Sequence, residues 1–189
     1  MIDKSVWWKL LNSLHGSHRK YNLMAPEYNK SLIFRRHIKE AYYYREIISD
    51  YGMCKNHEIL DIGTGAGFPG IPLAVLFPEN RFYLNDRKRI RTDFVKTLAK
   101  DLALSNVSTI TEDITNLSPE DRTFDIITAR AVSRIAVIEE ACLHILKPAG
   151  MIILGKGMDI KHELEQVRYL TVSEIRPVPF GNMVILHKR

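Results

Sequence analysis

The chain has 189 residues, enough for one α/β domain with its own core and short for two. Hydrophobic residues make up 46% and charged residues 26%, an ordinary globular balance that excludes a disordered or fibrous chain. The two cysteines, Cys54 and Cys142, stand in no metal-ligand spacing, which excludes a structural zinc site and favours a reducing compartment, while the net charge of +5 keeps a polyanionic partner open.

Residues 1–55 read as a helical segment of the same folding unit. Val6, Trp7, Leu10, Leu11 and Leu14 recur at helical spacing, and so do Ile33 or Phe34, Ile38, Ala41, Tyr42, Ile48 and Tyr51. Between them, His15 to Lys30 holds Gly16 and Pro26 and is expected to be loop. Residues 1–50 carry nine Lys/Arg against five acids, and Arg87-Lys88-Arg89-Ile90-Arg91 is a second basic run. Both suit nucleic acid, although solvated helix faces would look the same. The start has no signal-peptide core and no run reaches membrane-span length, so a cytoplasmic protein without a membrane partner is expected.

Residues 56–189 alternate short apolar strands with helices. Strands are expected at Glu58–Ile62, Arg81–Asn85, Val107–Thr111, Phe124–Thr128 and Met151–Leu154, and helices near 70–77, 90–103, 133–146 and 159–169. Such alternation gives a parallel, doubly wound sheet. Leu170–Val178 and Met183–His187 then form a terminal hairpin around Gly181-Asn182. This plan resembles the Rossmann-like class I S-adenosylmethionine-dependent methyltransferase fold, a seven-stranded, mostly parallel sheet with a C-terminal antiparallel hairpin. Here it carries an N-terminal helical extension.

The first strand runs into Asp61-Ile62-Gly63-Thr64-Gly65-Ala66-Gly67-Phe68-Pro69-Gly70. Gly65, Gly67 and Gly70 make a literal G-x-G-x-x-G, which alone is weak evidence for a dinucleotide. Two features point to a methyl donor instead. Asp61 places a carboxylate at the strand end, which suits a cationic sulfonium better than a pyrophosphate. Pro69 removes an N–H where a helix would receive phosphate. Asp86, 19 residues after Gly67 at the end of the second strand, is placed for the ribose hydroxyls. Glu112-Asp113-Ile114-Thr115, after the third strand, is placed for the adenine. Ordinary turn and loop roles are the alternatives at each position.

The fourth strand ends at Ala129-Arg130-Ala131, where the acceptor should lie. No Asn-Pro-Pro-Tyr motif and no Pro-Cys nucleophile occurs there, and both cysteines read as small apolar residues. An acceptor needing no activated base fits, and guanine N7 is one. Arg130 is the candidate for holding cofactor or guanine, and is expected to matter more for turnover than for folding. A loop-closing salt bridge is its plainer role.

These residues resemble the bacterial ribosomal small subunit methyltransferase G family, also called glucose-inhibited division protein B. The matching pieces are Arg19-Lys20-Tyr21-Asn22-Leu23, Arg36-His37-Ile38, Asp61 through Ala74, Ala129-Arg130-Ala131 and Lys156-Gly157. The resemblance implies transfer of a methyl group from S-adenosylmethionine to N7 of a guanine in the decoding-region loop of 16S ribosomal RNA. It implies cofactor contacts at Gly63, Phe68, Ile114, Thr115 and Arg130, and RNA contacts at Lys156, His37 and Arg36. The partner would be small-subunit RNA or the assembling small subunit, met by a monomer that needs no metal. Lys39-Glu40-Ala41, Met24 and Arg87-Lys88-Arg89 depart from the family's usual pattern. The competing expectations are a small-molecule or protein methyltransferase, a non-catalytic RNA-binding protein that kept the fold, and, more distantly, a dehydrogenase.

Overall fold

The computed structural model describes residues 4–17 and 29–188 of the chain. Helices α1 (Lys4–Ser17), α2 (Lys30–Ile33) and α3 (Lys39–Asp50) come first, with α2 and α3 joined by one π-helical turn, Phe34–Ile38. The break expected at 15–30 is overrun at both ends, where α1 reaches Ser17 and α2 opens at Lys30; its residues 18–28 lie outside the described residues. Burial of Leu10, Leu11 and Leu14 carries α1 on to Ser17. Lys30 opens α2 because the Asn29 side chain accepts the Leu32 N–H at 3.0 Å, an N-cap.

The sheet comprises β1 (Glu58–Ile62), β2 (Arg81–Asn85), β3 (Val107–Ile110), β4 (Phe124–Arg130), β5 (Leu146–Lys156), β6 (Leu170–Val178) and β7 (Gly181–Lys188). Their order is β3-β2-β1-β4-β5-β7-β6. The first five strands run parallel, and β7 lies antiparallel between β5 and β6. Strands β4 and β5 outrun the expected Phe124–Thr128 and Met151–Leu154, because pairing extends from Phe124 with Leu146 to Arg130 with Gly155.

Alternate residues of the central strands face two cores, as the period of two requires. One core joins Ile59, Phe82, Ile126 and Ile153 to α1, α3, α4 (Gly70–Leu76) and α5 (Arg89–Asp101). The other joins Leu60, Ile127, Ile152 and Val184 to α6 (Ile135–Cys142). The N-terminal helices share the first core through Leu10, Leu14, Tyr44 and Ile48. Cys142 is buried on the α6 stripe as expected, but Cys54 is exposed rather than apolar filling.

Two expected helices are short. α6 stops at Cys142, and only one turn, α7 (Lys161–Leu164), forms where 159–169 was expected. The buried Glu139 carboxylate on α6 accepts the N–H groups of Arg168, Tyr169 and Leu170 at 2.6–3.2 Å. Capture of those donors ends the helical path and starts β6.

Candidate active site

The C-terminal ends of the parallel strands bring the site residues to one edge of the sheet, where ligands of open α/β sheets sit. Past Ile62 the chain turns through Gly63 and Gly65 at φ of 61° and 58°, a conformation that side chains resist. The turn is fastened to β2. The Gly65 N–H donates to Asp86 Oδ2 at 3.2 Å, and Thr64 N–H donates to the Asn85 carbonyl at 2.8 Å.

Asp61 is fully buried beneath this loop. Its Oδ2 accepts the Gly70 N–H at 3.1 Å and its Oδ1 accepts the Thr128 hydroxyl at 2.9 Å. The carboxylate thus takes the N-terminal N–H of α4, the place where a dinucleotide loop would hold its pyrophosphate. Burial pushes the Asp61 carboxyl up to about 6, against the pull of its hydrogen bonds and of Arg130.

A cavity of about 450 Å³ opens beyond the loop. Gly63, Asp86, Asp113, Ile114 and Thr115 all line it, five residues the sequence assigned to the cofactor. Asp86 accepts three N–H donors, from Gly65, Lys88 and Arg91. A carboxylate has about four lone-pair sites, so one remains for a hydroxyl. Asp113 Oδ1 accepts Thr115 N–H at 3.1 Å and caps the 3₁₀ turn Ile114–Asn116, fixing that wall. Ile114, Val132 and Val137 supply apolar surface for a flat ring. Carboxylate, apolar slot and polar edge together fit the adenosine part of S-adenosylmethionine. Asp61, Gly65 and Phe68 do not line this cavity. They act from underneath: Asp61 on α4, Gly65 on Asp86, and Phe68 stacked on His37 at 4.8 Å between ring centres.

A second cavity, of about 470 Å³, adjoins the first at Ala131, which lines both. Arg36, His37, Arg130 and Lys156 converge on it. The β4–β5 pairing sets Arg130 beside Gly155, and the π-helical turn aims His37 inward. Arg130 Nη1 donates to Glu40 Oε2 at 2.8 Å and to His37 Nδ1. An arginine only donates, so Nδ1 is the acceptor and the neutral ring carries its proton on Nε2. Burial, reinforced by the Arg130 and Arg36 charges, holds His37 down to about 3, so it stays neutral at physiological pH. Lys156 pairs with Glu163 at 2.6 Å and donates to the Ser133 carbonyl at 2.7 Å.

Some of this departs from expectation. Lys156, expected to face RNA, is largely buried in its ion pair. Of the basic run at 87–91, Arg91 turns inward to Asp86 at 3.1 Å and Arg89 pairs with Asp93 at 3.7 Å. Arg19 through Leu23 and Met24 lie outside the described residues. Glu40, Glu163 and Tyr44, whose hydroxyl donates to the Ala129 carbonyl at 3.0 Å, escaped the sequence reading. No local spacing marked either ion pair, since each joins residues on different elements.

The model of one protein family, rRNA small subunit methyltransferase G, matches residues 5–180. A protein of that name from Coxiella burnetii is 34% identical over 178 residues, covering 94% of this chain and 83% of that protein. One from Desulfitobacterium hafniense is 39% identical over 137 residues, covering 69% of this chain. The chain spans only 57% of that relative's length. Among solved structures, a precorrin-6y C5,15-methyltransferase from Geobacter metallireducens superposes with a TM-score of 0.61 at 17% identity, covering 88% of this chain and 93% of that one. That likeness is one of fold.

Proposed function

The chain belongs to the rRNA small subunit methyltransferase G family, and from that premise we propose that it methylates N7 of a guanine in small-subunit ribosomal RNA, with S-adenosylmethionine as donor. The observation that carries this reading is the pair of cavities meeting at Ala131, one whose carboxylate, apolar wall and polar edge suit an adenosine and one where Arg36, Arg130 and Lys156 converge with three carboxylates. When bound, the donor supplies an electrophilic methyl group on a sulfonium.

Asp86 would hold the ribose, and the Ile114 and Val132 side chains would flank the adenine. Asp113 and Thr115 would meet the ring edge. On the acceptor side every group that could act as a base, except the exposed Asp159, is committed. His37 gives Nδ1 to Arg130, Glu40 is paired with Arg130, and Glu163 is paired with Lys156. Such a site orients an acceptor better than it deprotonates one, and N7 attacks with a lone pair that the neutral base already has. The Arg130 fork, held from two sides, is a preorganised donor set for the base or its phosphate. Among the described residues, no helix is long and apolar enough to cross a membrane.

Mass spectrometry of nucleosides from small-subunit RNA tests the proposal. RNA from a strain lacking the gene should regain one N7-methylguanosine when treated with the protein and S-adenosylmethionine. A methyl group on an exocyclic amine or a ribose would overturn it.

A further inference from the structure

The rim of the acceptor cavity holds two side chains that this scheme leaves idle. Phe180, at the β6–β7 turn, is 45% exposed, and the Arg36 guanidinium lies 5.8 Å from its ring centre. An exposed aromatic ring beside a polar cavity is a platform on which a nucleobase stacks. Asp159, in the loop between β5 and α7, lines the same cavity. Of the three carboxylates there, Arg130 holds Glu40 and Lys156 holds Glu163. Asp159 makes no hydrogen bond or ion pair with any described residue. The Asn182 amide donates to the carbonyls of Gly157 and Met158 at 3.0 and 3.2 Å, tying the loop that bears Asp159 to the turn that bears Phe180.

Building on the proposed function, the geometry points to these two residues as the readers of the target base: Phe180 stacks on guanine, and Asp159 accepts hydrogen bonds from its N1–H and 2-amino groups. Adenine offers an acceptor at N1 and no 2-amino group, so a carboxylate rejects it. Inosine keeps N1–H but lacks the amine. The N1–C2 edge lies across the purine from N7, so seating it at Asp159 leaves N7 facing away from that carboxylate. Alkylation uses the N7 lone pair to form the new carbon–nitrogen bond, while the electrons of the old carbon–sulfur bond stay on sulfur and no proton moves. The purine becomes cationic, and a carboxylate on its N–H edge binds that charge more tightly than it binds the neutral base.

Nucleotide titrations followed by NMR test this without turnover. The parent protein should bind GMP at least about tenfold more tightly than AMP, with IMP between them, as loss of charge-assisted hydrogen bonds requires. Asp159→Asn should abolish that ranking. Phe180→Ala should weaken all three nucleotides alike and raise the KM for small subunits about tenfold, with Phe180→Tyr restoring both. Neither variant should shift the melting temperature, since both side chains are exposed. Equal binding of GMP and AMP by the parent, or an unchanged ranking in Asp159→Asn, overturns the inference. The nucleoside analysis above reads the proposed function separately: a product other than N7-methylguanosine sinks that reading, whereas the titration alone decides the reading pair.

Discussion

Single residues carry charges that the fold holds away from their ordinary states. Asp61 has a folded pKa of about 6 against an ordinary 3.8. Below 3.8 both the folded and unfolded forms are protonated, and the stability linked to this group is fully present. As pH rises through 6 the folded form must ionise a buried acid, and stability on the order of 3 kcal/mol is lost. Asp61→Asn should therefore melt above the parent at pH 8, with the gap closing toward pH 4; a gap independent of pH would contradict this. His37 acts in the opposite sense, since its neutral form is favoured and its stability contribution falls as pH drops from 6.5 toward 3. Arg130 makes the salt bridge that was its plainer role in the sequence, with Glu40. Its loss would strand Glu40, whose side chain is 14% exposed. Arg130→Ala should thus cost about 1–3 kcal/mol of stability as well as turnover, measured by denaturant unfolding beside methyl transfer. The type and place of Arg130 were readable at the end of an apolar run. Its partner Glu40, 90 positions earlier, was not, because no periodicity links them.

At the scale of elements, two joints hold the architecture. The strand–loop–helix unit at β1–α4 is tight at Gly70, where an added Cβ would lie 2.2 Å from Leu84 Cδ2 and 2.8 Å from Asp61 Oδ2. Gly70→Ala should destabilise strongly, because both neighbours are fully buried. Gly65→Ala meets nothing closer than 3.8 Å and should cost only the roughly 1–2 kcal/mol of its left-handed backbone, while weakening donor binding in calorimetry. The second joint is Glu139, whose removal leaves the N–H groups of residues 168–170 unpaired. Glu139→Ala should cost about 3 kcal/mol or more, and hydrogen exchange at those amides should rise first. The central strands were legible because their apolar runs are bounded by polar turns. The shortened α6 and α7 were not, since a carboxylate that intercepts backbone donors from another segment leaves no mark on local helical spacing.

For the whole molecule, the net charge of +5 acts through its distribution. Arg35 and Lys39 are exposed on the helical segment that carries Arg36, His37 and Glu40, whereas Arg91 is spent on Asp86. If the ligand is RNA, replacing Arg35 and Lys39 by Gln should lower the slope of log affinity against log salt by about 2, and Arg91→Gln should leave it unchanged. Equal effects from both would mean that the inward pairing does not persist in solution. Charge counting could not make this distinction, because a basic run reads the same whether its members face solvent or a neighbour. Ala131 has a consequence of its own. It sits at φ 51°, exposed, as the common wall of the two cavities. If donor and RNA occupy the two cavities as proposed, their shared wall makes the sequence of arrivals matter, because RNA docked over Arg36 and Phe180 would stand beside the donor's cavity. Turnover should then follow an ordered queue, with donor entering before RNA and spent donor leaving after it, one methyl group per docking.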